Sequence, residues 1–293
     1  MTLDNPMKAI SLGWGVQSFT LAAMSALGDL EPVDVAIHAD TTHESKLTYE
    51  FAARWTPWLE ERGVRVVTVT SGVHDQWMTS PRLNGHGTPP LFTKARYTVT
   101  TTGEYVENED GDAMFIDWTD GVDRTREIDI ESQGQMLRSC TQRWKIAPMR
   151  RWLQANRNGA QVEQWLGISL DEFQRMKDSD VKYCVNRWPL IEKRMTRLDC
   201  VTWLDRHGIE VPPKSACTFC PFHSTSEWRR IKQVPEDWAE AVAVDDAIRK
   251  VRPPYDLYVH PSRIPLVAVD LRSEADRGQL SLWDAECSGI CGV

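Results

Sequence analysis

Apolar positions in the first 70 residues change period repeatedly. Residues 8–12 read as a short strand and 16–27 as a helix, with apolar side chains on a 3.6-residue period. Residues 33–39 form an apolar run that ends at Asp40. A second helix is expected over 48–62, where Phe51, Trp55, Trp58 and Leu59 share one face and Gly63 closes it. Residues 64–70 are β-branched and strand-like. Such alternation predicts a parallel sheet with right-handed crossovers, and ligands in these sheets sit at the carboxyl ends of the strands. The segment after residue 10 and Asp40 both fall at such ends.

The alternation stops over 71–137. Residues 85–90 read as a loop and 97–102 as a strand, and 104–130 is acidic and rich in Asp and Gly. An inserted hairpin or lid is expected over about 84–132. Helical patterning resumes at 146–153, with Pro148 in the first turn. A strand is expected at 162–167, then helices at 170–178 and 198–207, the latter ended by Gly208. Beyond Pro212-Pro213 come two closely spaced cysteines, helices over 226–251, a short strand at 266–269 and a tail. The expected fold is α/β: a parallel twisted sheet flanked by helices over 1–210, with a smaller, mostly helical, cysteine-bearing part over 211–293.

With 41% hydrophobic and 26% charged residues in 293, a substantial core is affordable and global disorder is not expected. No apolar run approaches the roughly 20 residues of a membrane span. The first residues lack a basic region followed by an apolar stretch, so the expected location is the cytoplasm, with no membrane partner. The net charge of −8 argues against broad, non-specific nucleic-acid binding. Seven cysteines in a reducing compartment point to metal, cluster or redox chemistry rather than disulfides.

Ser11-Leu-Gly-Trp-Gly-Val-Gln-Ser18 joins the first strand to the first helix. Gly13 and Gly15 let a ligand approach the backbone, and Ser11 and Ser18 add hydroxyls. The helix start presents free amides and a positive dipole end, so the stretch can hold a phosphate. It lacks the Gly-Lys-Ser/Thr of a Walker loop and the third glycine of the dinucleotide fingerprint. An ordinary strand-to-helix turn is the plain alternative.

Cys217-Thr-Phe-Cys220-Pro221 is the strongest single signal. With Cys140 it gives three thiolates able to hold three irons of a 4Fe–4S cluster and leave one iron open. Cys140, Cys217, Cys220 and His223 would alternatively make a zinc site, and buried free thiols are the third reading. Cys140 adjoins Arg143, Lys145, Arg150 and Arg151, a cationic cluster suited to phosphate or sulfate. At the second strand end, Asp40 is placed to accept from a ribose or to position magnesium, with His43 and Glu44 as further polar candidates. Helix capping is the bland role for Asp40. Cys184 and Cys200 read as core thiols.

Four of these stretches, in this order, carry a resemblance. Residues 11–18 resemble the pyrophosphate loop of the PP-loop ATP pyrophosphatases, Ser-x-Gly-Gly-Gly-Val-x-Ser. Residues 40–51 resemble the Asp-Thr-Gly-x-x-x-x-x-Thr-Tyr-x-Phe element of the phosphoadenosine phosphosulfate (PAPS) reductase branch. Cys140-Thr-Gln-Arg-Trp-Lys145 looks like its Cys-Thr-x-x-x-Lys element, and residues 212–222 resemble its second cysteine element. The resemblance implies an adenine nucleotide α-hydrolase-like sheet. It implies phosphate binding by the loop from Ser11 through Gly13, Trp14, Gly15, Val16 and Gln17 to Ser18, and a nucleotide near Asp40, Arg143 and Lys145. It also implies a cluster on Cys140, Cys217 and Cys220. Two departures bear on this. Trp14 replaces a loop glycine, which would narrow the pocket, and Ser139 stands where the assimilatory reductases carry the first cysteine of a pair.

The expected activity is cleavage of ATP, with Mg2+, between the α- and β-phosphates to adenylate a substrate. Iron–sulfur-dependent transfer of sulfur from a donor to a nucleic-acid base or nucleotide would follow. Arg187, Lys193, Arg194, Arg197, Arg229 and Arg230 are candidates to line an acceptor groove. The tail Glu286-Cys287-Ser-Gly-Ile-Cys291 faintly resembles the mobile Glu-Cys-Gly tail of the reductases. It supports a second expectation: reduction of adenylylsulfate or PAPS, with Cys287 or Cys291 as nucleophile and a thioredoxin-like donor. A nucleotide-binding protein with structural zinc is the third.

Overall fold

A computed structural model describes residues 6–72, 78, 87–101, 103–107, 113–117 and 126–272. The chain opens with strand β1 (Met7–Ser11), helix α1 (Val16–Leu27), strand β2 (Val35–Asp40), helix α2 (Lys46–Glu60) and strand β3 (Val66–Thr70). Strands β4 (Phe92–Thr101), β5 (Gly103–Glu107), β6 (Ala113–Asp117) and β7 (Arg126–Gln135) follow. A π-helical turn, Thr141–Ile146, runs into α3 (Ala147–Asn156). Strands β8 (Val162–Trp165) and β9 (Cys184–Arg187) precede α4 (Pro189–Glu192) and α5 (Arg197–Arg206). Helices α6 (Thr225–Lys232) and α7 (Pro235–Ile248) and strand β10 (Asp256–Tyr258) complete the set.

The main sheet has the order β3-β2-β1-β8-β9, with every pairing parallel. This is the expected α/β class. Strand alternation divides the core: Ile10 and Ala36 pack with α1, α2 and α5 on one face, while Ala9, Val35 and Ile37 pack with Met149 and Leu153 of α3 on the other. The order runs outward from β1 to β3 in one direction and through β8 to β9 in the other. The switch point therefore lies between β1 and β8, where parallel sheets open a crevice for ligands.

The inserted segment is a long ribbon. Strands β4 and β7 pair antiparallel from Phe92↔Gln135 to Thr101↔Arg126, with β5 and β6 forming a second hairpin between them. Part of the expected 84–132 insertion lies outside the described residues. The region after residue 211 does not build a core alone. β10 pairs with β4, and Leu91, Met136 and Trp144 share one core with Phe219, Trp228, Ile231 and Ile248.

Some expectations are corrected. The helix expected at 170–178 is a short 3-10 segment, Leu170–Arg175, with a non-helical Glu172 inside it. The strand expected at 266–269 is a single 3-10 turn, Leu266–Ala268. Strand β9 escaped notice because its four residues, Cys-Val-Asn-Arg, are too few to display a period. Among the described residues no helix is long and apolar enough to cross a membrane.

Candidate functional site

The turn from β1 to α1 is fastened from within. Ser18 Oγ accepts from Gly13 N at 3.1 Å and donates to the Gly15 carbonyl at 3.3 Å. The first backbone bond of α1 is Phe19 N to Gly15 O, 3.0 Å. The helix start carries no side-chain cap and no acidic residue in its first turn. Its leading amides thus keep their donors and the positive dipole end, an arrangement that attracts an anion.

The left-handed residue here is Trp14, at φ 56°; neither Gly13 nor Gly15 takes that conformation. This backbone turn sends the Trp14 ring inward. It is 1% exposed and packs on Phe19, His38 and Phe51, with ring centres 6.0–6.3 Å away. The expectation that Trp14 narrows the pocket is therefore corrected: only its backbone borders the turn. Val16 is likewise buried in the core. Gln17 is held sideways by Ser169 and Glu172, at 3.4 and 3.3 Å. Ser11 Oγ reaches Met149 Sδ at 3.5 Å, away from the helix start.

Gly167, after β8, closes the other side of the switch point. A Cβ there would lie 2.7 Å from Ser18 N and 2.8 Å from Ser18 Cα. Only glycine lets the β8 loop approach the first turn of α1 this closely. Sequence reasoning missed Gly167, although a glycine directly after a buried strand was the available signal.

Asp40, half-buried at the end of β2, accepts at Oδ1 from Thr42 N and from the Tyr49 hydroxyl, both at 2.7 Å. Burial and the Asp40 carboxylate hold Tyr49 protonated, well above the ordinary phenol range. Next to it, Glu44 is fully enclosed. Its carboxylate accepts from Lys145 Nζ at 3.0 Å, Ser215 Oγ at 3.2 Å and Thr41 Oγ1 at 3.5 Å. The Glu44 charge holds Lys145 cationic, above the ordinary lysine range.

Of the three cysteines singled out above, Cys140 and Cys217 pack against the core that buries Trp144, the neighbour of that lysine, and Cys220 N donates to the Cys217 carbonyl at 3.1 Å. Cys217 forms an antiparallel bridge with Glu44, and its Sγ is 3.3 Å from Thr41 Oγ1. Burial pushes the Cys217 and Cys220 thiols up, while Lys145 pulls both down. Thiols are the donor type that a cluster takes. Among the described residues no group of three or more His, Cys, Asp or Glu side chains is arranged to hold a metal ion. His223, the fourth ligand of the zinc alternative, is engaged elsewhere. His223 Nε2 donates to the Cys217 carbonyl at 2.8 Å, and its Nδ1 faces Glu227. Ser139, at the position of a missing thiol, accepts from Thr88 N at 2.8 Å and fastens the base of the ribbon.

Other candidates fall elsewhere. His43 is turned toward α7, where Nδ1 meets Glu240 at 2.7 Å. Arg143 is exposed on the π turn, and Arg150 pairs with Asp180. The expected acceptor cations sit on several separate elements. Arg187 is tied to Glu31, Glu163 and Glu192. Lys193, Arg194 and Arg197 are exposed between and on α4 and α5, whereas Arg229 and Arg230 belong to α6. Cys184 and Cys200 are core thiols as expected, and burial pushes Cys200 up to about 12. Cys287 and Cys291 lie outside the described residues.

No family model matches the chain, and no curated protein matches it. Among solved structures, the phosphate complex of phosphoadenylyl-sulfate (PAPS) reductase from Candida auris is similar at a TM-score of 0.38 and 12% identity. The match covers 71% of this chain and 76% of that one. At this distance the likeness assigns no residue a role.

Proposed function

We propose that this chain is a PAPS reductase-like PP-loop enzyme that binds ATP and cleaves it to AMP and pyrophosphate while adenylating a substrate. The observation that carries the reading is the uncapped start of α1 at the sheet's switch point. In support, Asp40 and the Glu44–Lys145 pair stand at the neighbouring strand end, and the order of the four sequence elements agrees. The α1 amides, with Ser18 fastening the turn, bind the phosphates that leave. Asp40 orients the nucleotide or its magnesium ion. Lys145 offers a fixed positive charge where negative charge develops. An acceptor oxygen forms the new bond to the α-phosphorus, the bond to the bridging oxygen breaks, and pyrophosphate departs with that electron pair. The acceptor we propose is a nucleic-acid base or nucleotide.

Cys140, Cys217 and Cys220 would hold a 4Fe–4S cluster, which would supply the sulfur-transfer chemistry, with sulfide coming from an external donor. Sulfide would then form the carbon–sulfur bond and AMP would leave with the oxygen. The reading is tested by pyrophosphate release from Mg·ATP, with iron and sulfide content measured beside it on protein purified without oxygen. ATP-dependent pyrophosphate release, lowered in Ser18→Ala and Lys145→Met, is expected. Sulfite release from adenylylsulfate or PAPS with no ATP cleavage would overturn it in favour of a reductase.

A further inference from the structure

Four acids are buried among the described residues, and Glu227 closes the start of α6, accepting from Ser224 N at 3.1 Å. Asp237 caps the start of α2, accepting from Ser45 Oγ at 2.8 Å and Lys46 N at 2.9 Å. Asp245 accepts from Val259 N at 3.0 Å and Leu266 N at 2.9 Å, and pairs with Arg249. All three hold backbone together. Among the described residues the Glu44 carboxylate holds none, and its partners there are the side chains of Lys145, Ser215 and Thr41, from three separate segments.

Each partner reaches one half of the site. Ser215 lies against the phosphate turn: its Cβ is 3.9 Å from where a Cβ on Gly15 would stand. Thr41 reaches the Cys217 sulfur at 3.3 Å, Cys217 bridges to the Glu44 backbone, and Lys145 comes from the π turn that follows Cys140. The Glu44 side chain is only 1% exposed. A carboxylate taken out of water is costly unless it is paired and hydrogen-bonded, and an apolar residue would fill the same space without that cost. An acid retained here, with only side chains of the site on its carboxylate, is explained by what it positions.

We infer that Glu44 is a positioning residue that locks the phosphate turn and the three thiols into a single site by holding Ser215 and Lys145 at once. The inference rests on the proposed reading that both halves serve one reaction. Glu44→Gln keeps the shape and removes the charge, so Lys145 loses its counter-ion and both halves loosen. In the full-length protein purified without oxygen, ATP affinity by calorimetry is expected to fall about tenfold, and retained iron to fall with it. Glu44→Asp should restore part of both. Glu44→Gln combined with Lys145→Met should be no worse than Lys145→Met alone, because the pair acts as a unit.

A Glu44→Gln protein with wild-type ATP affinity and iron content, but lower resistance to urea, would overturn the inference and make Glu44 merely structural. If that variant does not fold, Ser215→Ala decides. A several-fold weaker ATP affinity with iron unchanged supports the inference, and unchanged affinity overturns it. Wild-type protein that holds iron but no ATP sinks the proposed function, and Glu44 is then judged on iron retention. Protein that holds neither overturns both.

Discussion

Two helices of this protein begin after chemically loaded loops, and they begin differently. α6 follows the Cys217–Cys220 turn, and its start is closed. Ser224 Oγ accepts from Glu227 N at 3.3 Å, and Glu227 returns the bond to Ser224 N at 3.1 Å. α5 is closed in the same way by Thr196 and Asp199. α1 follows the Gly13–Gly15 turn, and its start is open, with Ser18 spent on fastening the turn instead. A capping box completes a helix with the chain's own groups. An uncapped start at the sheet's switch point leaves donors for something outside the chain. Other helices also lack a side-chain cap from their own N-cap residue, so what sets α1 apart is an open start combined with its place at the switch point.

The largest expected effect tests whether Trp14 belongs to the turn or to the core. Trp14→Ala should cost about 3–5 kcal/mol of stability in urea unfolding, because it empties the space between Phe19, His38 and Phe51. Trp14→Phe should recover much of that and leave ATP affinity unchanged. A Trp14→Ala protein of full stability but altered nucleotide affinity would put the ring in the pocket after all. Gly167→Ala comes next. Its Cβ would meet backbone, which cannot swing aside, so a loss of about 1–3 kcal/mol is expected together with weakened nucleotide binding. Gly13→Ala is the control, since its Cβ would meet only Ser18 Oγ at an ordinary 3.7 Å.

A paired substitution addresses the two helix starts directly. Ser224→Ala should cost about 1 kcal/mol and leave ATP affinity untouched, as expected of a cap. Ser18→Ala should cost no more stability than that and should weaken ATP binding. Equal behaviour of the two variants would erase the distinction between closed and open starts.

The parallel sheet was legible because β1, α1, β2, α2 and β3 are each long enough to display a period. Their order then leaves few topologies. Spacing drew attention to Cys217 and Cys220, and the structure closes them in one turn, with Cys220 N donating to the Cys217 carbonyl. What escaped was contact between distant segments. Ser215 reaches Glu44 across 171 residues and Lys145 does so across 101. No local pattern encodes such partners. Trp14 was misread for a related reason: a resemblance places a side chain at a position in a motif, whereas a φ of 56° decides which way it points. His223 had zinc-like spacing, but its ring nitrogens were already engaged with Cys217 and Glu227.

The smallest effect concerns His38, which stands under the open turn. Its Nδ1–H donates to the Leu12 carbonyl at 3.2 Å, and its ring meets Trp14 at 6.3 Å. Burial holds its pKa below the ordinary value; the Glu44 and Asp40 carboxylates oppose that shift, and Lys145 adds to it. The sign follows. The folded protein keeps His38 neutral while the unfolded chain takes up a proton, so this contribution is fully present above about pH 6.5 and declines as pH falls, by up to about 1.4 kcal/mol per unit. His38→Phe should flatten that part of the stability profile between about pH 7.5 and about pH 5. Because the imidazole that must take up the proton is bonded to Leu12, just before the Gly13–Ser18 turn, hydrogen exchange on acidification should speed at the start of α1 before it speeds at the start of α6. Simultaneous loosening of both starts would mean that His38 reports on global unfolding and has no particular hold on the open one.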